Sequence, residues 1–349
     1  MEPMLAQPKP FAPRLNWRLL LGLLMSVGIV ALVVLNRAWL LEALGLARGA
    51  QLRWLAAALG VILASYMVSG QVFRVALRRQ GHRLGTLRAW MTALVAIMIS
   101  QSMPAGGVGS YAFLVSAFRR RGVSPGETTL VATLEMLSYS LAMVLIALFS
   151  LAYLGFRTFS TGVSGAAIVA PLLLGLAMIG GLILGALVLT RSPAALAACL
   201  RRLQPLAAKI SRRARARAWP GHAAARVAHG RALLAANWRT LAVLVGIQLA
   251  ALCGHSFAML LILLSLGVHA SFAVVLAAFG AALVTSLLNV LPGGGGTIET
   301  ILAAVLGFLA VGPAAVPAAV IFRLLNFWLL LPLAAAAYAW LARGNGAAR

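Results

Sequence analysis

Leu291-Pro292-Gly293-Gly294-Gly295-Gly296-Thr297-Ile298-Glu299 sets four consecutive glycines and a carboxylate inside a segment otherwise hydrophobic enough to lie in a membrane. Backbone that is not helical leaves N–H and C=O groups unpaired, and at membrane depth this is tolerated only where protein or a water-filled cavity satisfies them. The stretch therefore reads as a break in a membrane helix and as part of a site.

The rest of the chain supports the membrane setting. Of 349 residues, 62% are hydrophobic, and several stretches of about 20 residues are nearly free of charge, the length that crosses a bilayer core. A net charge of +24 would raise nucleic acid as a partner of a soluble protein. Here the basic residues cluster between apolar spans with few aromatics among them, which points to an anionic lipid surface. There is no Asp and only five Glu, so carboxylate-rich metal chemistry has few ligands and no cofactor is expected. Cys199 and Cys253 have no pairing or CxxC spacing and read as plain thiols.

Taken in order, residues 1–16 form a proline-rich cytoplasmic tail. Residues 17–35 make a first span, a signal anchor because no small-residue cleavage site follows. Residues 54–73 make a second span, and Arg74 to Arg88 mark its cytoplasmic side. The segment 89–118 is broken at Pro104-Ala105-Gly106-Gly107-Val108-Gly109. Its halves are too short for the roughly 30 Å hydrocarbon core, so it is expected to enter, turn at the glycines and return. Spans at 126–154 and 162–190 follow, completing a first unit over 17–190. The linker 191–239 carries ten Arg and one Lys. A span at 240–264, a broken hairpin at 271–311 and a last span at 313–341 make the second unit, 240–342, and 343–349 is a cytoplasmic tail. The expected fold is an all-α polytopic membrane protein with about six full spans and two re-entrant or broken hairpins.

An ungapped shift of 188 positions lays Pro104, Gly106 and Gly107 on Pro292, Gly294 and Gly295, Val123 and Pro125 on Val311 and Pro313, and Glu135 on Arg323. The broken segments read as copies. By the positive-inside rule the first hairpin opens to the cytoplasm and the second to the outside, which makes the pair an inverted-topology repeat, the design of alternating-access transporters. Helix starts expected at Ser110 and Thr297 would aim free N–H groups at a shared midplane site suited to a phosphate or carboxylate. The alternative is that the glycines only let helices pack closely.

The residues resemble the transmembrane, flippase-type region of lysylphosphatidylglycerol synthases and their stand-alone bacterial relatives. Pro292-Gly293-Gly294-Gly295-Gly296-Thr297-Ile298-Glu299 looks like that family's P-G-G-x-G-x-x-E. Phe322-Arg323-Leu324-Leu325-Asn326-Phe327-Trp328, followed by Pro332, is similar to its tyrosine-arginine-leucine-leucine segment. Met103 to Gly107, Arg121-Gly122-Val123-Ser124 and Glu135 are similar to its first-half pattern. The chain departs from the family in that first half. Gly106, Val108 and Gly109 stand where the loop usually carries an arginine and an acidic residue, and Met136 and Tyr139 where an arginine and an aspartate commonly follow. No aminoacyl-transferase domain follows residue 342, so the resemblance implies lipid translocation without lipid synthesis.

Glu135, Glu299 and Arg323 are ionisable groups in apolar segments, where such groups are costly, face an interior and tend to pair. The expected roles are Arg323 on an anionic headgroup and Glu299 or Glu135 on a cationic moiety or a coupling proton; the alternative is an ion pair that only locks the halves together. The glycines Gly106, Gly107, Gly294, Gly295 and Gly296, the helix starts Ser110 and Thr297, and Tyr139, Asn326 and Trp328 on the same helix faces complete the candidate set. Glu127 suits a helix N-terminus, His255 a packing role, and Gln101 and Asn289 the satisfaction of loop carbonyls. The expected function is a lipid translocase in the bacterial inner membrane with both termini in the cytoplasm, a non-enzyme whose partners are anionic phospholipids or polyprenyl phosphates. The alternatives are a membrane-embedded transferase or hydrolase acting on a lipid phosphate, and a small-solute exporter. Against the transferase stands the lack of Asp, His or Lys sets for acid–base or metal-assisted phosphoryl chemistry.

Overall fold

The computed structural model describes residues 48–102, 106–161, 238–286, 297–309 and 311–343, with a few isolated positions besides. These residues are helical, with no strand among them. The helices are α1 (Leu52–Arg78), α2 (Thr86–Ser102), α3 (Gly106–Arg119), α4 (Pro125–Thr161), α5 (Trp238–Ser265), α6 (Phe272–Ser286), α7 (Thr297–Phe308) and α8 (Gly312–Arg343). α1, α4, α5 and α8 are long and apolar enough to cross a membrane. The expected spans at 17–35 and 162–190, the terminal tails, most of the basic linker, Pro104 and the glycines Gly294, Gly295 and Gly296 lie outside the described residues.

The remaining four helices are short. α2 and α3 have 17 and 14 residues, about 25 and 21 Å at 1.5 Å per residue. α6 and α7 have 15 and 12, about 22 and 18 Å, less than a bilayer core. Each pair packs helix against helix, so both broken segments are hairpins of short helices. One expected boundary is corrected: α3 begins at Gly106, not at Ser110. Gly106 to Gly109 are therefore part of the helix rather than its approach, because glycine weakens a helix only modestly and tertiary packing overrides it. Thr297 does open α7.

Helix ends follow local chemistry. α4 starts with a capping box: the Ser124 backbone N–H donates to Glu127 Oε2 at 2.7 Å, and the Glu127 N–H donates to Ser124 Oγ at 3.2 Å. Pro125 sits at the first helical position, where its missing N–H costs nothing. α3 ends on Gly122, whose φ of 79° is the left-handed conformation a helix C-terminus needs. α8 is composite: a 3-10 turn over Gly312–Ala314, α-helix over Ala315–Arg323, a π-helical turn over Leu324–Trp328, and α-helix again over Leu330–Arg343. The wide turn closes with the Leu329 N–H donating to the Leu324 carbonyl at 2.9 Å. Pro332 offers no N–H to the Trp328 carbonyl and its ring crowds it, which disrupts the α ladder just there.

The 188-residue shift recurs in three dimensions. It carries α1, α2, α3 and α4 onto α5, α6, α7 and α8; Leu52, for example, maps to 240, beside Trp238 at the start of α5. Where the flanking residues are described, boundaries agree within two residues: the ends of α1 and α5, the starts of α2 and α6, the ends of α3 and α7, and the starts of α4 and α8. The packing repeats too. α1 lies on α5; α2 lies on α8 as α6 lies on α4; α4 touches α5 as α8 touches α1; α1 touches α4 as α5 touches α8. Exchanging the halves leaves the set of packed helix pairs unchanged. Small residues permit the closest approaches, as membrane helices require: a Cβ on Gly70 would lie 2.8 Å from the Ala89 carbonyl oxygen of α2, and one on Gly280 would strike Ser150 and Ile146 of α4.

Two apolar clusters result. The larger joins α1, α2, α4, α5, α6, α7 and α8 around Ile62, Met259, Val284 and Leu306. The smaller joins the end of α1 to α2, α3 and the starts of α4 and α5 around Phe73, Ala93 and Phe118.

Candidate functional site

The first turn of α7 carries Glu299, where the positive end of the helix dipole favours a carboxylate. α8 packs on α7 and brings Arg323, the last residue of its first α-helical stretch, to meet it. Arg323 Nε lies 2.9 Å from Glu299 Oε1, with both side chains almost wholly buried. The Arg323 guanidinium also sits 4.2 Å from the centroid of the Phe327 ring, one turn on, which adds a cation–π contact in a desolvated place. The second carboxylate oxygen, Glu299 Oε2, is buried and accepts no hydrogen bond from the described residues.

The π-helical turn after Arg323 buries Asn326 and Phe327. The Tyr66 hydroxyl of α1 donates to Asn326 Oδ1 at 3.1 Å, tying α1 to α8. Tyr66 in turn meets His255 of α5 edge to face, ring centroids 5.0 Å apart. His255 Nδ1 lies 2.8 Å from the Ala251 carbonyl, and its other face stacks on Phe279; the histidine packs as the sequence suggested. Gln101, at the end of α2, lies beside the Tyr66 hydroxyl, with its own Oε1 buried and unpaired. A second buried polar link runs from Ser69 Oγ of α1 to Gln248 Oε1 of α5 at 3.2 Å. The centre of the molecule is therefore a chain of polar groups, Glu299, Arg323, Asn326, Tyr66 and Gln101, at the ends of both hairpins.

The candidate residues divide. Glu299, Arg323 and Asn326 come together, with Thr297 and Gly106 at the starts of the short helices nearest the two breaks. Glu135 and Tyr139 share one face of α4, and Tyr139 lies within electrostatic range of Tyr66. Among the described residues the carboxylate paired with Arg323 is that of Glu299, its neighbour through the α7–α8 contact, and not that of Glu135, its equivalent under the repeat. Ser110 is half-buried in the second turn of α3, and Gly107 is exposed before it. Trp328 is 45% exposed, away from the buried pair. Glu127 caps α4 and also meets His82 Nε2 at 3.3 Å. Cys253 is a free, half-buried thiol. Among the described residues no three His, Cys, Asp or Glu side chains gather to hold a metal.

Tyr66, Ser69 and Gln248 escaped the sequence reading. Each is a single polar residue in a long apolar span, a signal too common to single out alone. The π-helical turn had a clearer marker in Pro332, in mid-span.

Among the described residues, four helices long and apolar enough to cross a membrane, two hairpins of short helices and a buried ion pair between α7 and α8 define a multi-pass, membrane-embedded helical protein. The chain belongs to the family described as the lysylphosphatidylglycerol synthase TM region, which matches residues 19–334, a membrane region of a lipid-related family. No curated protein matches the chain.

Proposed function

We propose that the chain is a lipid translocase of the bacterial inner membrane, moving an anionic or aminoacylated phospholipid or a lipid-linked phosphate between leaflets by alternating access. The observation that carries this reading is the Glu299–Arg323 pair, buried at 2.9 Å beside the start of a short helix. Charges are costly inside a membrane and mark transport pathways. A pair offers one group to each sign of a headgroup: Arg323 to a phosphate, Glu299 to an aminoacyl ammonium or a coupling proton. Glu135, on α4, is the second acidic candidate.

The two halves act as an inverted repeat, with hairpins opening to opposite faces and rocking about the α1–α5 contact. The starts of α3 at Gly106 and Gly107 and of α7 at Thr297 offer free N–H groups to the headgroup. Both termini lie in the cytoplasm. The lipid leaves chemically unchanged, so the chain is not an enzyme.

Reconstitution tests the reading. In proteoliposomes containing fluorescent phosphatidylglycerol, the native chain accelerates exchange between leaflets over empty vesicles, and Arg323→Gln abolishes it while remaining folded. Normal transport by Arg323→Gln overturns the headgroup role; no transport by the native chain overturns the proposal.

A further inference from the structure

The exchange relating the halves also relates two interhelical spaces. One lies between α2, α3 and α8, the other between α6, α7 and α4. The second is closed: Gly280 lets Ser150 and Ile146 of α4 come directly against α6. At the equivalent positions the first has Thr92 on α2 and Tyr338 and Ala334 on α8. Thr92 and Tyr338 there line a groove of about 320 Å³.

The mouths differ as well. The open groove has Arg88, Arg120 and Arg121 among its lining residues, and none of its described lining residues is acidic. The same shift puts Leu276, Phe308 and Leu309 at those positions of the closed space. Arg88 lies over the Trp340 ring at 5.8 Å, so its guanidinium is oriented against a wall. Arg121 is held below the usual arginine range, by burial first and then by the charge of Arg88, so the two like charges stand close enough to feel one another. From this mouth the groove runs along α2 to Ile99 and along α3 to Phe113. Arg88 to Ile99 is about 16 Å of helix, an apolar floor leading away from a cationic rim. That combination fits an amphiphile with an anionic head.

We propose that the α2–α3–α8 groove binds an anionic phospholipid, its phosphate between Arg88 and Arg121 and an acyl chain lying along Ile99 and Phe113. Guanidinium pairs bind phosphate through charge-assisted, often bidentate hydrogen bonds, and Ser116 adds a hydroxyl at the rim. The groove is separate from the buried Glu299–Arg323 pair and holds its lipid whether or not that pair moves one. On the positive-inside rule it opens to the cytoplasmic leaflet.

Native mass spectrometry of the delipidated full chain tests this, titrating dioleoylphosphatidylglycerol, dioleoylphosphatidylcholine and inorganic phosphate. Phosphatidylglycerol binds in preference to phosphatidylcholine, and Arg88→Gln/Arg121→Gln weakens it by about tenfold or more, as loss of charged hydrogen bonds implies. Arg78→Gln, at the same end but outside the groove, leaves binding unchanged, and Arg323→Gln keeps it even where transport is lost. Arg88→Lys/Arg121→Lys, with the rim charge retained, recovers part of the affinity, and a circular dichroism spectrum and elution profile matching the native chain show that the glutamine variant is folded. Equal binding by the native chain and the glutamine variant overturns the proposal. So does an equal loss in Arg78→Gln, which would mean general surface charge. Binding of inorganic phosphate without phosphatidylglycerol overturns the lipid assignment.

Discussion

Glu299 and Arg323 have counterparts in the first half, and the counterparts behave differently. The shift that relates the halves carries Glu299 to Tyr111 and Arg323 to Glu135. In the second half the two positions form a buried ion pair across α7 and α8. In the first, Tyr111 turns to Thr129 of α4, hydroxyl to hydroxyl at 2.8 Å in an exposed position, and Glu135 forms no ion pair among the described residues. The frame is shared, but the charge is concentrated in one hairpin. α7 buries Leu302, Ala303, Val305 and Leu306, whereas α3 buries only Leu114 and Phe118 among its described side chains. The halves therefore divide labour: the second hairpin is seated in the core and carries the polar centre, and the first forms a groove with α8.

The largest expected effect comes from breaking the pair on one side only. Arg323→Ala strands Glu299 in a buried place and is expected to cost about 3–5 kcal/mol, read as a lowered denaturation midpoint in detergent. Glu135→Gln, at the equivalent position, breaks no ion pair and is expected to change stability by less than about 1 kcal/mol. Similar losses in both would mean that Glu135 has a charged partner, and the contrast between the halves would fail.

The closed and open spaces give the next contrast. Gly280→Ala must push α6 off Ser150 and Ile146, an overpacking expected to cost about 1–3 kcal/mol. Thr92→Ala trims a residue on the open side and is expected to cost less than about 1 kcal/mol, since the groove is already unfilled. Thermal unfolding of the two variants under one condition measures the difference.

These contrasts bear on what a sequence discloses. The crossing helices were legible because apolar runs of the required length have few other uses, and both hairpins because proline and glycine interrupted such runs. Glu299 and Arg323 were each conspicuous as charges in apolar segments. Their pairing was not, since equivalence under the repeat pointed to Glu135 and Arg323, while neighbourhood through the α7–α8 contact decided otherwise. Repeat equivalence identifies residues exchanged by the symmetry; it does not bring them into contact. The groove was illegible for a related reason: its lining comes from three helices, and residues such as Thr92, Phe113 and Tyr338 come together only once α2, α3 and α8 have packed.

Helix starts separate the halves more gently. α4 opens on the Ser124–Glu127 capping box, while α8 opens on a 3-10 turn without a side-chain cap. Ser124→Ala is expected to cost about 1 kcal/mol. Serine placed at Gly312 restores no cap: φ is 72° there, so Gly312→Ser is destabilising, and a gain in stability would break the comparison.

The smallest effect isolates the π-helical turn, which α8 has and α4 lacks. At the position equivalent to Pro332, α4 carries Val144 and remains regular helix. If proline sets the wide turn, and the wide turn presents Asn326 to Tyr66, then Pro332 and Tyr66 are coupled although they do not touch. Tyr66→Phe removes the hydrogen bond to Asn326 and should cost about 1 kcal/mol in the native background. Pro332→Ala relieves the crowding at Trp328 and lets α8 return to regular α-helix, rotating Asn326 away. In that background Tyr66→Phe should cost almost nothing, so the double-mutant cycle yields a coupling of up to about 1 kcal/mol. Additive costs would mean that the turn is held by burial of Asn326 and Phe327 rather than by Pro332. The repeat would then differ between its halves through packing and not through a single imino acid.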